Sequence, residues 1–499
     1  MLLLLLLSII GNTLYAQTSP AAASDALTSA RTLFKQGKFH EAAAAYRAIV
    51  EKDKPSEIVY SGLVQSYLKA DDVPAAEKAS AEALKALPQS ATAHAISGDV
   101  YFRKGLLTEA EGQYKTALEQ NENSARAWLG MGKIYATVSR QDQAKEAFTK
   151  AHNLDPADGD AWYRWAVLLP YPQSVDELEK HLAEFRSTAE QEHREREFID
   201  LIKGVGNREV WVESSSVKQA EIKLETVTPQ PGIMLGFGLR ARFNNSTNAL
   251  LLLDTGSTWI TIPRSLADKI GARKISDYGI EGVGDSGPAA GYFAWVDKIT
   301  LGDVEFHDCL VHISAHNDLN GADGLIGANI FAKHLVTIDF PARKLRIGPL
   351  PEAAAPTSSK PLVHSFEARS VAQFFNFGHI LLLPARVNHS ATGLFVLDTG
   401  ANQSSVTPEF GRMAGKLWET REHVAGSNGQ VSKVAALEDA VLEFSPFSQR
   451  NDTLLAFDRR SLSRQLETEI SGFIGFASLN RMKVSINYRD GLVSFEGSR

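Results

Sequence analysis

One cysteine, Cys309, is all the thiol that the 499-residue chain carries. A single thiol excludes an intramolecular disulfide and leaves nothing from which to build a cysteine zinc cluster. It lies in the apolar stretch Cys309-Leu310-Val311, where a free thiol packs as a small hydrophobe. Basic excess is missing too. Lys and Arg number 52 against 59 Asp and Glu, a formal net charge of -7, so the basic stripe of a nucleic-acid binder is absent. Long apolar runs are confined to the first residues. Met1 to Ile10 is too short to span a bilayer comfortably, has no Lys or Arg ahead of it, and is followed by Leu14-Tyr15-Ala16. Segment 1–16 reads as a secretory signal peptide or an uncleaved anchor. No cysteine follows it, which excludes a lipoprotein anchor. The expectation is an exported protein, bacterial periplasmic or secreted. The chain also lacks a phosphate loop closed by Lys-Ser/Thr and a Gly-x-Ser-x-Gly elbow.

What is present first is a repeat. Trp128, Gly132, Tyr135, Ala144, Phe148, Ala151 and Pro156 correspond 34 residues earlier to His94, Gly98, Tyr101, Ala110, Tyr114, Ala117 and Glu122. One period further back stand Tyr60, Val64, Tyr67, Ala76, Ser80, Ala83 and Pro88. A weaker copy holds Gly37, Ala42 and Tyr46, and Trp162 opens a partial fifth that Pro170 ends. Small residues let paired helices approach, and aromatics fill the gaps between copies. One copy cannot bury its apolar face alone, so copies stack. Residues 24–170 resemble the tetratricopeptide repeat, which implies a concave groove for a protein partner, or else a stabilising appendage. The charged stretch 171–210 is expected to be one capping or connecting helix.

From about Val210 short apolar runs alternate with Gly, Asn, Asp and Pro, the texture of strands and turns. The plan occurs twice. Leu250-Leu251-Leu252-Leu253-Asp254-Thr255-Gly256-Ser257 matches Leu394-Phe395-Val396-Leu397-Asp398-Thr399-Gly400-Ala401. Some seventy residues on, Gly324-Leu325-Ile326-Gly327 matches Gly472-Phe473-Ile474-Gly475. Then Val336 to Phe340 matches Val484 to Tyr488. Residues 211–350 and 362–499 are thus two halves, joined by a Pro-, Ala- and Ser-rich linker at 351–361. This paired pattern resembles the pepsin and retropepsin superfamily. The expected architecture is multidomain: an all-α solenoid, then an all-β bilobal acid-protease-like unit.

The resemblance implies a carboxylate dyad, Asp254 and Asp398, that activates water for peptide hydrolysis without a cofactor. Two carboxylates in contact cannot both ionise easily, so they share a proton and titrate as a unit. Gly256 and Gly400 let backbone approach the carboxylates. The resemblance implies that Thr255 and Thr399 tie the two turns together. Ser257 is expected to hydrogen-bond Asp254, whereas Ala401 cannot serve Asp398 in that way. Two glycine-rich tips, Gly282-Val283-Gly284 and Gly426-Ser427-Asn428-Gly429, stand at equal distances after their aspartates. They are candidate flaps over the substrate, or ordinary hairpin turns.

His307, His312 and His316 lie near Asp308 and Asp318, but His307 and His312 face opposite ways on a regular strand, so no metal is expected. The reading is an aspartic-type endopeptidase acting on peptide or protein, with a repeat array for a protein partner. Two alternatives stand beside it: a noncatalytic peptide-binding scaffold, and a narrow self-processing or maturation protease.

Overall fold

The computed structural model describes residues 20–52, 54–229, 234–279, 282, 284–286, 289–315, 321–352, 362–363, 366, 369–390, 392–426 and 429–497. Segment 1–16, for which a signal peptide or anchor is expected, most of the linker, Val283, Ser427, Asn428, His316 and Asp318 lie outside these residues. No helix among the described residues is long and apolar enough to cross a membrane.

The first third is helical. Helices α1 (Pro20–Lys35), α2 (Phe39–Lys52), α3 (Glu57–Lys69), α4 (Val73–Ala86), α5 (Ala91–Arg103), α6 (Leu107–Gln120), α7 (Ala125–Thr137) and α8 (Gln141–Leu154) form four antiparallel pairs. The 34-residue period reaches down to the caps. Ser90, Ser124 and Asp158 each accept a hydrogen bond from the backbone N–H three residues on, which starts the first helix of each pair. Glycine and aromatic positions interlock. A Cβ at Gly62 would fall 2.2 Å from the Tyr46 ring, and one at Gly132 would fall 2.6 Å from the Phe148 ring.

The fifth copy is fuller than expected. The short α9 (Gly159–Ala166) pairs with α10 (Gln173–Glu184) across Pro170. The expected single connector is two helices, α10 and α11 (Ala189–Val205). The chain breaks between them and restarts on a capping box, in which Thr188 and Gln191 satisfy each other's backbone N–H groups.

The remainder is β-rich and duplicated. In the first half, strand Gly324–Ile326 lies between Thr247–Leu253, to which it is parallel, and Ile260–Pro263, to which it is antiparallel. In the second half Gly472–Ile474 lies in the same way between Gly393–Leu397 and Ser405–Val406. A six-stranded sheet joins the halves at its centre, where Val336 pairs with Ile486 and Ile338 with Val484. One apolar core runs through both halves and includes Leu253, Leu397, Ile326 and Ile474. Cys309 is fully buried in it, and burial pushes its thiol well above the usual range.

The array packs directly on the second half. Phe102, Tyr114 and Ile134 share an apolar cluster with Phe377, Leu382 and Phe473. Polar contacts surround it. Glu111 accepts the backbone N–H groups of Leu362 and Val363, both at 2.9 Å. The Thr468 hydroxyl donates to the Phe102 carbonyl at 2.8 Å. Glu467 meets Lys133 at 2.8 Å and Arg164 at 3.0 Å, and Glu469 meets Arg103 at 3.1 Å. These basic residues come from α5, α7 and α9, the first helices of successive pairs. A segment of the β-rich unit therefore already lies against them.

Candidate active site

Each candidate aspartate follows the buried end of a strand, Leu251 to Leu253 in one half and Gly393 to Leu397 in the other, so its carboxyl emerges where the two halves meet. Backbone fixes both. Asp254 N–H donates to the Ile326 carbonyl at 2.9 Å and Asp398 N–H to the Ile474 carbonyl at 3.0 Å. The Gly256 N–H donates to the Asp254 carboxylate at 2.8 Å. Gly400 and Ala401 N–H groups donate to one oxygen of Asp398 at 2.9 and 3.0 Å.

The two turns are interlocked through their threonines. Thr255 N–H donates to the Thr399 hydroxyl oxygen at 3.1 Å, and Thr399 N–H donates to that of Thr255 at 3.0 Å. Each hydroxyl then donates across the interface, Thr255 to Leu397 O at 2.7 Å and Thr399 to Leu253 O at 2.8 Å. All four bonds are buried, where an unmade partner is expensive.

The glycines fit against the opposite carboxyls. A Cβ at Gly400 would fall 2.4 Å from Asp254 Cγ, and one at Gly256 would fall 3.0 Å from Asp398 Cγ. The two carboxyl groups are hydrogen-bonded to each other. Burial first, then the charge of Asp398 and that hydrogen bond, hold the Asp254 carboxyl well above the usual carboxylate range; the Gly256 and Ser257 backbone bonds pull the other way. The Ser257 hydroxyl expected to bond Asp254 makes no such bond among the described residues. Its backbone N–H turns to the Asp254 main-chain carbonyl at 3.1 Å, whereas the Ala401 N–H of the second half reaches the Asp398 carboxylate. The side-chain asymmetry expected from the sequence is therefore absent.

The chain joins a tetratricopeptide-repeat array to an aspartyl-protease-family domain. A family model described as "Aspartyl protease" matches residues 239–330. Two described as "Tetratricopeptide repeat" match residues 11–60 and 61–125, and residues 125–158. No curated protein sequence matches the chain. Among solved structures it is similar to the aspartic proteinase from Irpex lacteus, at 12% identity and a TM-score of 0.35, over 56% of this chain and 97% of that one. It is also similar to a thermophilic TPR protein of Thermus thermophilus, at 18% identity and a TM-score of 0.29, over 36% of this chain and 97% of that one.

Both glycine-rich tips of the protease domain are hairpins, and they touch. The first, containing Gly282 and Gly284, joins strands Arg273–Asp277 and Gly291–Leu301. The second joins Val424–Gly426 to Gly429–Val431. Asp285 N–H donates to the Gln430 carbonyl at 3.1 Å, and Ser432 N–H donates to the Asp285 carboxylate at 2.6 Å. Helix α11 braces the root of the first hairpin, where Gly279 N–H donates to Glu197 at 3.2 Å. His312 belongs to this root. It stacks on Phe293 at 4.6 Å, bonds the Tyr278 carbonyl at 3.1 Å, and burial lowers its pKa. His307 instead meets Glu305 at 3.1 Å.

Two residues near the dyad carry no motif in the sequence. His379, in the turn between Phe375–Phe377 and Ile380–Val387, reaches across the halves to the Gly256 backbone. Burial pushes its imidazole down to about 4, against that hydrogen bond. Arg459 lies between Phe457 and Phe473, its guanidinium carbon 4.0 and 4.3 Å from their ring centres. Only folding brings either one near the dyad.

Proposed function

We propose that the chain is an aspartic-type endopeptidase that hydrolyses an extended peptide with water held between Asp254 and Asp398. The observation that carries this reading is the hydrogen-bonded carboxyl pair in a cradle built the same way from both halves. The pair shares one proton. The pair titrates as a unit, and its ionised carboxylate is the base that takes a proton from water. The protonated carboxyl of the pair polarises the scissile carbonyl and then supplies the leaving amine with its proton. Backbone of the two hairpin tips closes over the substrate and excludes bulk water.

The test is cleavage of a diverse peptide library by the full chain from about pH 3 to pH 7, the range in which shared-proton carboxyl pairs operate. Asp254→Asn and Asp398→Asn run beside it. Cleavage lost in both variants supports the dyad. Cleavage that survives in both removes it.

A further inference from the structure

A guanidinium enclosed by protein without an anion beside it is costly, because burial removes the hydration of the charge. Arg459 is such a group. Its Nε is buried and has no hydrogen-bond partner, and no ion pair to it occurs among the described residues. The neighbouring carboxylate does not serve it: Asp458 is taken by Arg460, through its backbone N–H and Nε at 2.8 Å and Nη2 at 2.5 Å. Phe457 and Phe473 hold the guanidinium between their rings, an arrangement that favours a cation and fixes its orientation. Burial nonetheless pushes it down to about 9, with Asp398 and Asp458 pulling it back up, so it stays charged throughout the acid range.

Its place in the fold is on the substrate side. Side chains alternate along a strand, so Val396 shares a face with Asp398, while Leu397 enters the domain core. Val396 packs in the same cluster as Phe473, which puts the guanidinium over Phe473 on the carboxyl face of the sheet. From above, Asp285 of the first hairpin tip lies within electrostatic reach of Asp458. The Asp458–Arg459 turn is therefore a wall between the hairpin tips and the dyad.

We propose that Arg459 is the anion-binding element of a substrate subsite on the Asp398 side of the cleft, and that it recognises a substrate carboxylate near the scissile bond. The proposal rests on the peptidase reading above. The carboxylate comes from an Asp or Glu side chain or from the end of the substrate chain. Its oxygens meet the open edge of the guanidinium, a charge-assisted bond in a shielded site. The rings leave room for an in-plane partner and none for a second stacked group.

The experiment compares matched peptides on the full chain: Glu against Gln at each position flanking the cleaved bond with amidated ends, and free against amidated C-termini on neutral sequences. The expected result is a kcat/KM preference for one carboxylate source of roughly 30-fold or more, the usual effect of removing one member of a shielded charged pair. That ratio should collapse in Arg459→Gln and survive in part in Arg459→Lys. The source that shows the preference identifies the carboxylate. No Glu/Gln and no free/amidated preference in the wild type overturns the subsite while leaving the peptidase reading standing. A changed pH profile in Arg459→Gln with the ratio intact also overturns it, since Arg459 would then act only through Asp398. If no form cleaves any peptide, the peptidase reading fails, and binding of the same labelled peptides to full-length Asp254→Asn decides the subsite. Carboxylate-selective binding that Arg459→Gln abolishes supports it; unselective binding, or none, removes it.

Discussion

The α-carbon of Gly400 faces the carboxyl of Asp254 so closely that a methyl group on it would fall 2.7 Å from each carboxyl oxygen. The reverse contact, Gly256 against Asp398, is looser at 3.1 Å from each oxygen. Gly400→Ala should therefore displace the dyad and lower kcat by about 100-fold or more, the effect expected of misplacement near 1 Å. Gly256→Ala should cost less. Single-turnover peptide cleavage by the two variants gives the order; equal losses would show that the two contacts are equivalent.

The threonine lock makes a separate prediction about stability. Thr399→Val keeps the shape but leaves the Thr255 N–H and the Leu253 carbonyl without their partners. Each buried orphan costs about 1–3 kcal/mol. Thr399→Ser keeps the hydroxyl and should lose far less. Urea unfolding of both variants measures the difference, and the same order is expected at Thr255.

The raised Asp254 carboxyl has a definite sign in stability. An unfolded aspartate ionises near pH 3.9, while folded Asp254 keeps its proton to a much higher pH. The native state then binds more protons, so stability falls as pH rises from about 4 towards the folded value. Asp254→Asn cannot ionise and escapes that loss. Its melting temperature should exceed the wild type by on the order of 5 °C at pH 7, with the gain shrinking towards pH 4. A constant gain across that range would refute the shared-proton account.

Glu467 shows the opposite sign. Burial opposes its charge, but Lys133, Arg164 and Lys69 together hold its carboxyl far below the usual range. Its contribution is complete above about pH 4.5 and fades only as pH falls towards the depressed value. Glu467→Gln should be less stable than the wild type at neutral pH, and the gap should close well below pH 4.5. The Glu467 contacts to the array thus persist through the acid range, while Glu469, raised by burial, gives up its charge sooner. Small-angle scattering at pH 4 and pH 7 should give the same dimensions.

Removing residues 17–205 should not yield a well-behaved protease. It uncovers Phe377, Leu382 and Phe473, all buried against the array. The truncated chain is expected to aggregate or to bind a hydrophobic dye, as measured by light scattering and fluorescence.

The sequence made the repeat pairs and the aspartate turns legible because both rest on local spacing. Trp128 and Gly132 mark a helix at a fixed period, and Asp-Thr-Gly after four apolar residues marks a strand end. Glu467 could not be read this way. Its partner Arg164 is 303 residues away in the chain, and nothing in either local sequence calls for the other. Arg459 looks like one of several surface arginines until Phe473 is folded under it. Ser257 misled for a related reason: residue type suggested a hydroxyl contact, but the tight turn spends its N–H on the Asp254 main-chain carbonyl and leaves the hydroxyl off the carboxylate.

The segment Glu467-Thr468-Glu469 behaves as a tethered ligand for the repeat array. Held by the rest of the chain, such a ligand acts at an effective concentration in the millimolar range. An outside peptide aimed at the same basic positions on α5, α7 and α9 must outcompete it, so its apparent affinity is weakened by the ratio of that concentration to the tether's own dissociation constant. Any partner aimed at this face of the array therefore has to offer contacts that Glu467-Thr468-Glu469 does not make.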